Sequence, residues 1–123
     1  MDKTLYYMQK AIEQAEIAAA ENEVPVGAVI VRNDEIVATG RNRREQGKNA
    51  LLHAETDAIY NACQKLGGWR LWNCEIYVTL EPCPMCAGAI INAHIPKVHG
   101  LESSWSVEVN QENLGYASNF MKA

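Results

Sequence analysis

The chain has 123 residues, 48% of them apolar and 21% charged, with a formal net charge of −4. That length suits one domain around one core, and the composition reads as globular. No apolar run approaches a membrane span, and the first residues lack the apolar stretch of a signal peptide. An acidic balance leaves no global footprint for nucleic acid, and the cytoplasm is the expected compartment.

Residues 4–21 read as an amphipathic helix, with Leu5, Met8, Ile12, Ala15 and Ala19 at steps of three and four and Thr4 as its N-cap. Pro25 and Gly27 end it. Residues 26–31 are an apolar β run, Asn33-Asp34 is a turn signal, and Ile36 to Thr39 returns as the second strand of a hairpin. Residues 40–49 are polar and read as a loop. Residues 51–66 form the second helix, with Leu52, Ile59, Ala62, Cys63 and Leu66 toward a core and Gly67-Gly68 as its stop.

Residues 69–72 form a connector, 75–80 a strand, 84–93 the third helix and 97–101 a short strand. Beyond residue 101, Ser103 to Ser106 reads as loop. Val107 to Val109 alternates too briefly for a firm assignment, and 110–123 is a docked helix or a tail. The order α-β-β-α-β-α-β predicts an α/β fold: one mixed sheet sandwiched by helices, its hairpin antiparallel and its two crossovers parallel and right-handed. Residues 1–123 read as one domain, with 101–123 as an atypical tail.

The chemistry concentrates where strands hand over to helices. Cys83 and Cys86 open the third helix, with Pro84 at a first-turn position that needs no N–H. The positive helix end favours thiolate, the form that binds metal. His53 and Glu55 open the second helix in the same way, and helix starts at the carboxyl ends of strands are where α/β sheets bind ligands. Three ligands, His53, Cys83 and Cys86, leave a position open, as catalytic zinc sites do, whereas structural sites close with four. Zinc lowers the pKa of water toward about 7, and Glu55 is the candidate general base and acid.

Each part has a blander reading. Glu55 is also what a helix dipole attracts, and Cys83 with Cys86 is also a dithiol pair. Cys63 and Cys74 read as small core hydrophobes. His94 complements a helix end and His99 is structural. Arg41, Arg43, Arg44 and Lys48 crowd one segment, either as a solvated loop or as a local phosphate contact.

His-x-Glu followed by Pro-Cys-x-x-Cys is the signature of zinc nucleobase deaminases. The chain resembles the cytidine-deaminase-like superfamily, and within it the bacterial tRNA adenosine deaminases. Glu23 to Val29, Gly40 to Arg43, and Tyr77 to Ile90 carry the likeness beyond the metal motif. The resemblance implies zinc held by His53, Cys83 and Cys86, proton shuttling by Glu55, and a base contact from Asn42. It also implies a pocket lined by Val26 and the backbone near Glu81, and a homodimer. The activity implied is deamination of adenosine to inosine in a tRNA anticodon loop. Residues 100–105 depart from that group's pattern, which leaves open a deaminase of a free base or nucleoside, such as guanine, cytosine or cytidine. A reading of another class is a non-catalytic, zinc-stabilised binding module.

Overall fold

A computed structural model describes residues 3–100 and 106–108 of the chain. The order is α1 (Thr4–Ala20), β1 (Gly27–Arg32), β2 (Glu35–Arg41), α2 (Arg44–Gly47), α3 (Ala54–Leu66), β3 (Cys74–Val78), α4 (Pro84–Asn92), β4 (Lys97–Gly100) and β5 (Ser106–Glu108). The strands form one mixed sheet in the order β2-β1-β3-β4-β5. The helices pack on its two faces, as an α/β/α sandwich requires.

Strand β1 is the centre of the site-bearing half. It pairs antiparallel with both β2 and β3, whereas β3 and β4 pair parallel. Strands β2 and β3 therefore run in the same direction with β1 between them. The first crossover spans a strand instead of joining neighbours, a correction to the simplest reading of a β-α-β order. Ala28 pairs with Gly40 on one side and Val78 on the other. The carboxyl ends of β2 and β3 thus flank the start of β1, and α3 and α4 both begin beyond that edge.

Alternation sorts the side chains of β1. Ala28 and Ile30 join Ile76, Val78 and Val98 against the alanine stripe Ala54, Ala58 and Ala62 of α3 and against Ala87 and Ile90 of α4. Val29 and Val31 turn to the other face, under Tyr7, Met8 and Ala11 of α1. Gly40 lies so close to α3 that a Cβ there would collide with the backbone of Ala54 and Ala58. That absent side chain lets α3, and His53 at its start, sit directly on β2. Asn33 and Asp34 both take positive φ, 52° and 64°, the paired left-handed residues of a tight hairpin turn.

Several boundaries differ from the sequence reading. Thr4 lies inside α1, whose N-cap is Lys3. The buried face of α1 is Tyr7, Met8, Ala11, Ala15 and Ala18. Leu5, expected in the core, is 86% exposed, and Ala19 is also exposed. The segment 40–49 is not all loop: β2 runs on to Arg41 and α2 occupies Arg44–Gly47. Helix α3 begins at Ala54, later than expected, so Leu52 precedes it. Ser106, read as loop, lies in β5, which pairs antiparallel with β4. The expectations for residues 101–105 and 109–123 fall outside the described residues. Cys74 is buried, Cys63 half-buried, and both pack into the main core as small hydrophobes.

Candidate metal centre and its cleft

His53 and Cys83 occupy the same structural position on two helices. Each is an N-cap residue with extended backbone, ψ 165° for His53 and 170° for Cys83. The His53 N–H donates to Thr56 Oγ1 at 3.1 Å, which turns the chain into α3. At α4, Cys83 hands its carbonyl to the Ala87 N–H at 2.8 Å, and Pro84 takes the first turn. Cys86 lies one turn inside α4 and is fully buried. The two helix starts converge because β2 and β3 deliver them to the same edge of the sheet.

The geometry fits a tetrahedral ion. His53 Nδ1 lies 3.6 Å from Cys83 Sγ and 3.5 Å from Cys86 Sγ. Zinc bonds of about 2.3 Å to sulfur and about 2.0–2.1 Å to nitrogen, at tetrahedral angles, put nitrogen and sulfur about 3.5 Å apart. The three ligand atoms all lie within 4.8 Å of one another, and no other such group occurs among the described residues. The electrostatics agree with the spacing. Burial and the Arg44 charge push His53 below the usual histidine range, toward the neutral imidazole that binds metal. Burial, with Glu55 and Cys83 beside it, pushes the Cys86 thiol far up. A divalent cation reverses that penalty, since a coordinated thiol is deprotonated outright.

Glu55 is 4% exposed and sits beside Cys86. Burial raises its carboxyl above the ordinary glutamate value, opposed by its hydrogen bonds, including one with Cys86. A glutamate attracted only by a helix dipole would face solvent; this one faces the ligand cluster.

A cleft of about 130 Å³ opens over the cluster. Val24, Val26, Asn42, His53, Glu55 and Cys83 line it together with Ala54, Arg44, Leu80 and Glu81. The three residues expected to meet a substrate, Asn42, Val26 and Glu81, thus share one cleft with His53 and Cys83. Asn42 is 4% exposed, and its Oδ1 accepts the Arg44 N–H at 3.1 Å. Its side-chain NH₂ makes no hydrogen bond within the described residues.

The four cations of the loop separate. Arg41 is bidentate on Glu21, at 2.8 and 3.1 Å, and Arg43 grips Asp57 at 3.0 Å. Of the four expected phosphate contacts, these two therefore already hold a carboxylate partner within the molecule. Arg44 lines the cleft, and Lys48 is exposed at the end of α2. Neither has an ion pair among the described residues. Sequence reasoning missed Glu23 and Asp57, two buried carboxylates that hold this loop. Each lies in a polar stretch, Glu21-Asn22-Glu23 and Glu55-Thr56-Asp57, where no local pattern marks one acid as buried. His94 takes φ 62° just beyond α4 and packs at a tilt against Trp72, with ring centres 4.4 Å apart. His99 bonds Glu75 at 2.6 Å and stacks on Tyr77, and neither histidine reaches the metal cluster.

These features define a three-ligand metal site with an adjacent buried carboxylate, on an α/β/α sandwich. The sequence profile of the cytidine and deoxycytidylate deaminase zinc-binding region matches residues 1–101, and the chain belongs to that family. A tRNA-specific adenosine deaminase of Bacillus subtilis is 50% identical over 92 residues, 75% of this chain and 57% of that protein. The chain spans about three-fifths of the length of that curated relative. A structure from a study of A-to-I editing by tRNA:A34 deaminases superposes with a TM-score of 0.79 at 38% identity, covering 80% of this chain and 76% of that one. Guanine deaminase from Bacillus subtilis superposes with a TM-score of 0.77 at 36% identity, covering 81% and 64%.

Proposed function

We propose that the chain is a zinc-dependent hydrolytic deaminase whose substrate is adenosine in the anticodon loop of a tRNA. The observation that carries the proposal is Glu55, a buried carboxylate beside three converging metal ligands at the base of a cleft. A zinc-stabilised binding module has no use for that carboxylate. His53, Cys83 and Cys86 would hold the zinc, which when bound acts as a Lewis acid and makes water nucleophilic near neutral pH.

The rest of the chemistry belongs to the chain. Glu55 accepts a proton from the attacking water and delivers it to the ring nitrogen beside C6, the carbon under attack. The carboxylate then takes the proton of the new C6 hydroxyl and passes it to the departing amine, as the C6–N bond breaks and the C6 oxygen becomes a carbonyl. One water is consumed, ammonia leaves, and adenosine becomes inosine. Asn42 presents its amide to the base, and Val26 packs the ring. The target nucleotide turns out of its stack to reach the cleft. Arg44 and Lys48, the two loop cations with no ion pair among the described residues, meet the flanking phosphates.

The likeness to tRNA-specific adenosine deaminases supports the tRNA substrate. The likeness to a guanine deaminase favours a second reading, a free purine base in the same cleft. We read residues 1–123 as one unit that works as a homodimer in the cytoplasm, where four unpaired cysteines and a tRNA substrate both belong. Ammonia release from an anticodon stem-loop, guanine, cytosine and cytidine tests the assignment. Turnover of the stem-loop alone is expected. Turnover of guanine alone replaces the substrate and keeps the mechanism, and no turnover by zinc-loaded protein overturns the enzyme reading.

A further inference from the structure

Residues 41–46 are held at alternating points. The Asp57 side chain is 10% exposed, and its Oδ2 accepts three hydrogen bonds. These come from the Arg41 N–H at 3.1 Å and from Arg43 Nε and Nη2 at 3.2 and 3.0 Å. Glu23, also buried, accepts the Glu45 N–H at 3.0 Å on one oxygen and the Gln46 N–H at 2.8 Å on the other. Residues 41 and 43 thus turn to one carboxylate, and 45 and 46 to another. The two residues left between the ties, Asn42 and Arg44, are those that line the cleft.

Burying a carboxylate is costly unless every lone pair is used well, and well-packed apolar residues often serve stability equally. Asp57 is spent on the two residues that bracket Asn42, not on the core behind it. It also projects from the first turns of α3, two residues after Glu55. A single short helical segment therefore carries both the proton shuttle and the anchor of the base-reading loop.

We propose that Asp57, with Arg43 as its counter-ion, is a positioning residue that sets Asn42 against the substrate base in register with Glu55. The proposal rests on the deaminase reading for its kinetic consequence, but the tie itself is testable without a substrate. Asp57 touches neither base nor metal in this scheme, so its removal acts on substrate affinity and leaves the proton shuttle in place. Arg43 likewise contributes through Asp57 and not through phosphate.

The test compares wild type with Asp57→Ala, Asp57→Asn, Arg43→Ala and the double alanine variant, all checked for bound zinc. Hydrogen exchange of the amides in 41–46 reports the tie directly. Steady-state kinetics report its effect on the substrate found active in the panel. With Asp57→Ala, exchange in 41–46 should quicken at least tenfold, and KM should rise about 5–20-fold while kcat stays within threefold. Asp57→Asn keeps an acceptor for the Arg41 N–H and should recover most of the loss. Adding Arg43→Ala to Asp57→Ala should cost less than twofold more. A purely structural role would instead lower the folded fraction, reducing kcat and leaving KM unchanged; that result overturns the proposal. So does unchanged exchange in 41–46. If wild type turns over no substrate, the deaminase reading fails, and the exchange data alone decide whether Asp57 holds the loop.

Discussion

The metal cluster and the arginine-rich loop border the same cleft, and both are groups of reactive or charged side chains that stand out in the sequence, the first as two motifs 30 residues apart and the second as one run. They differ in what positions them. His53 and Cys83 are N-caps, so the backbone that starts each helix also aims the ligand. The loop cations are aimed by carboxylates far away in the chain. Glu21 holds Arg41 across 20 residues, and Asp57 holds Arg43 across 14. A ligand motif anchored at helix starts thus carries its geometry with it. A run of like charges states only that cations are present; their freedom depends on partners the run does not contain.

The sharpest way to break this comparison is at Glu55. If the cluster is a working site, Glu55→Gln should keep stoichiometric zinc by elemental analysis and lose activity. General acid–base assistance is typically worth about 10²–10⁴-fold, and one residue serving several transfers belongs at or above the upper figure. Activity retained within about tenfold would reduce Glu55 to a dipole partner, and the cluster to a structural feature.

The loop is tested next, through ionic strength. If Arg44 and Lys48 meet phosphates while Arg41 and Arg43 do not, only the first pair should govern the salt dependence of tRNA binding. Arg44→Ala or Lys48→Ala should each reduce the slope of log K against log salt by about 0.7–0.9. Arg43→Ala should weaken binding while leaving that slope unchanged. Equal slope losses for all four cations would restore the sequence reading of the loop and erase the distinction.

The smallest expected effect concerns the Glu21–Arg41 tie. The Arg41 hydrogen bonds hold the Glu21 carboxyl below its ordinary value of 4.5, against a smaller opposing effect of burial. A depressed carboxylate contributes stability that is fully present above its unfolded value. That contribution fades as pH falls toward the folded one. The Tm advantage of wild type over Glu21→Gln should therefore be constant above about pH 4.5 and close below it. Since both side chains are partly exposed, the advantage should amount to a degree or two. A gap that persists undiminished into acid would show that the pair matters through packing and not charge.

Local chemistry accounts for what was legible in advance. Strand alternation, the Asn33-Asp34 turn and Gly67 as a helix stop each operate within a few residues. So does the pairing of His-x-Glu with Pro-Cys-x-x-Cys at two helix starts. These signals brought out the element order, the α/β class, the ligand set and the carboxylate beside it. They did so because N-caps and turns are properties of the chain over about one helical turn. The face of α1 is the opposite case. Step counting pointed to Leu5 and Ala19, but the helix seats Tyr7 and Ala11 on β1. The Tyr7 hydroxyl reaches the Asp34 carbonyl at 2.9 Å and its ring packs 5.2 Å from that of Tyr77. Gly27 leaves the gap into which the small side of α1 fits. The place of β1 between two parallel strands, and the pairing of Arg41 and Arg43 with carboxylates, likewise arose from long-range contacts. Which hydrogen bonds and contacts a side chain meets across 14 to 52 residues depends on how the layers close. No pattern confined to a single element contains that information.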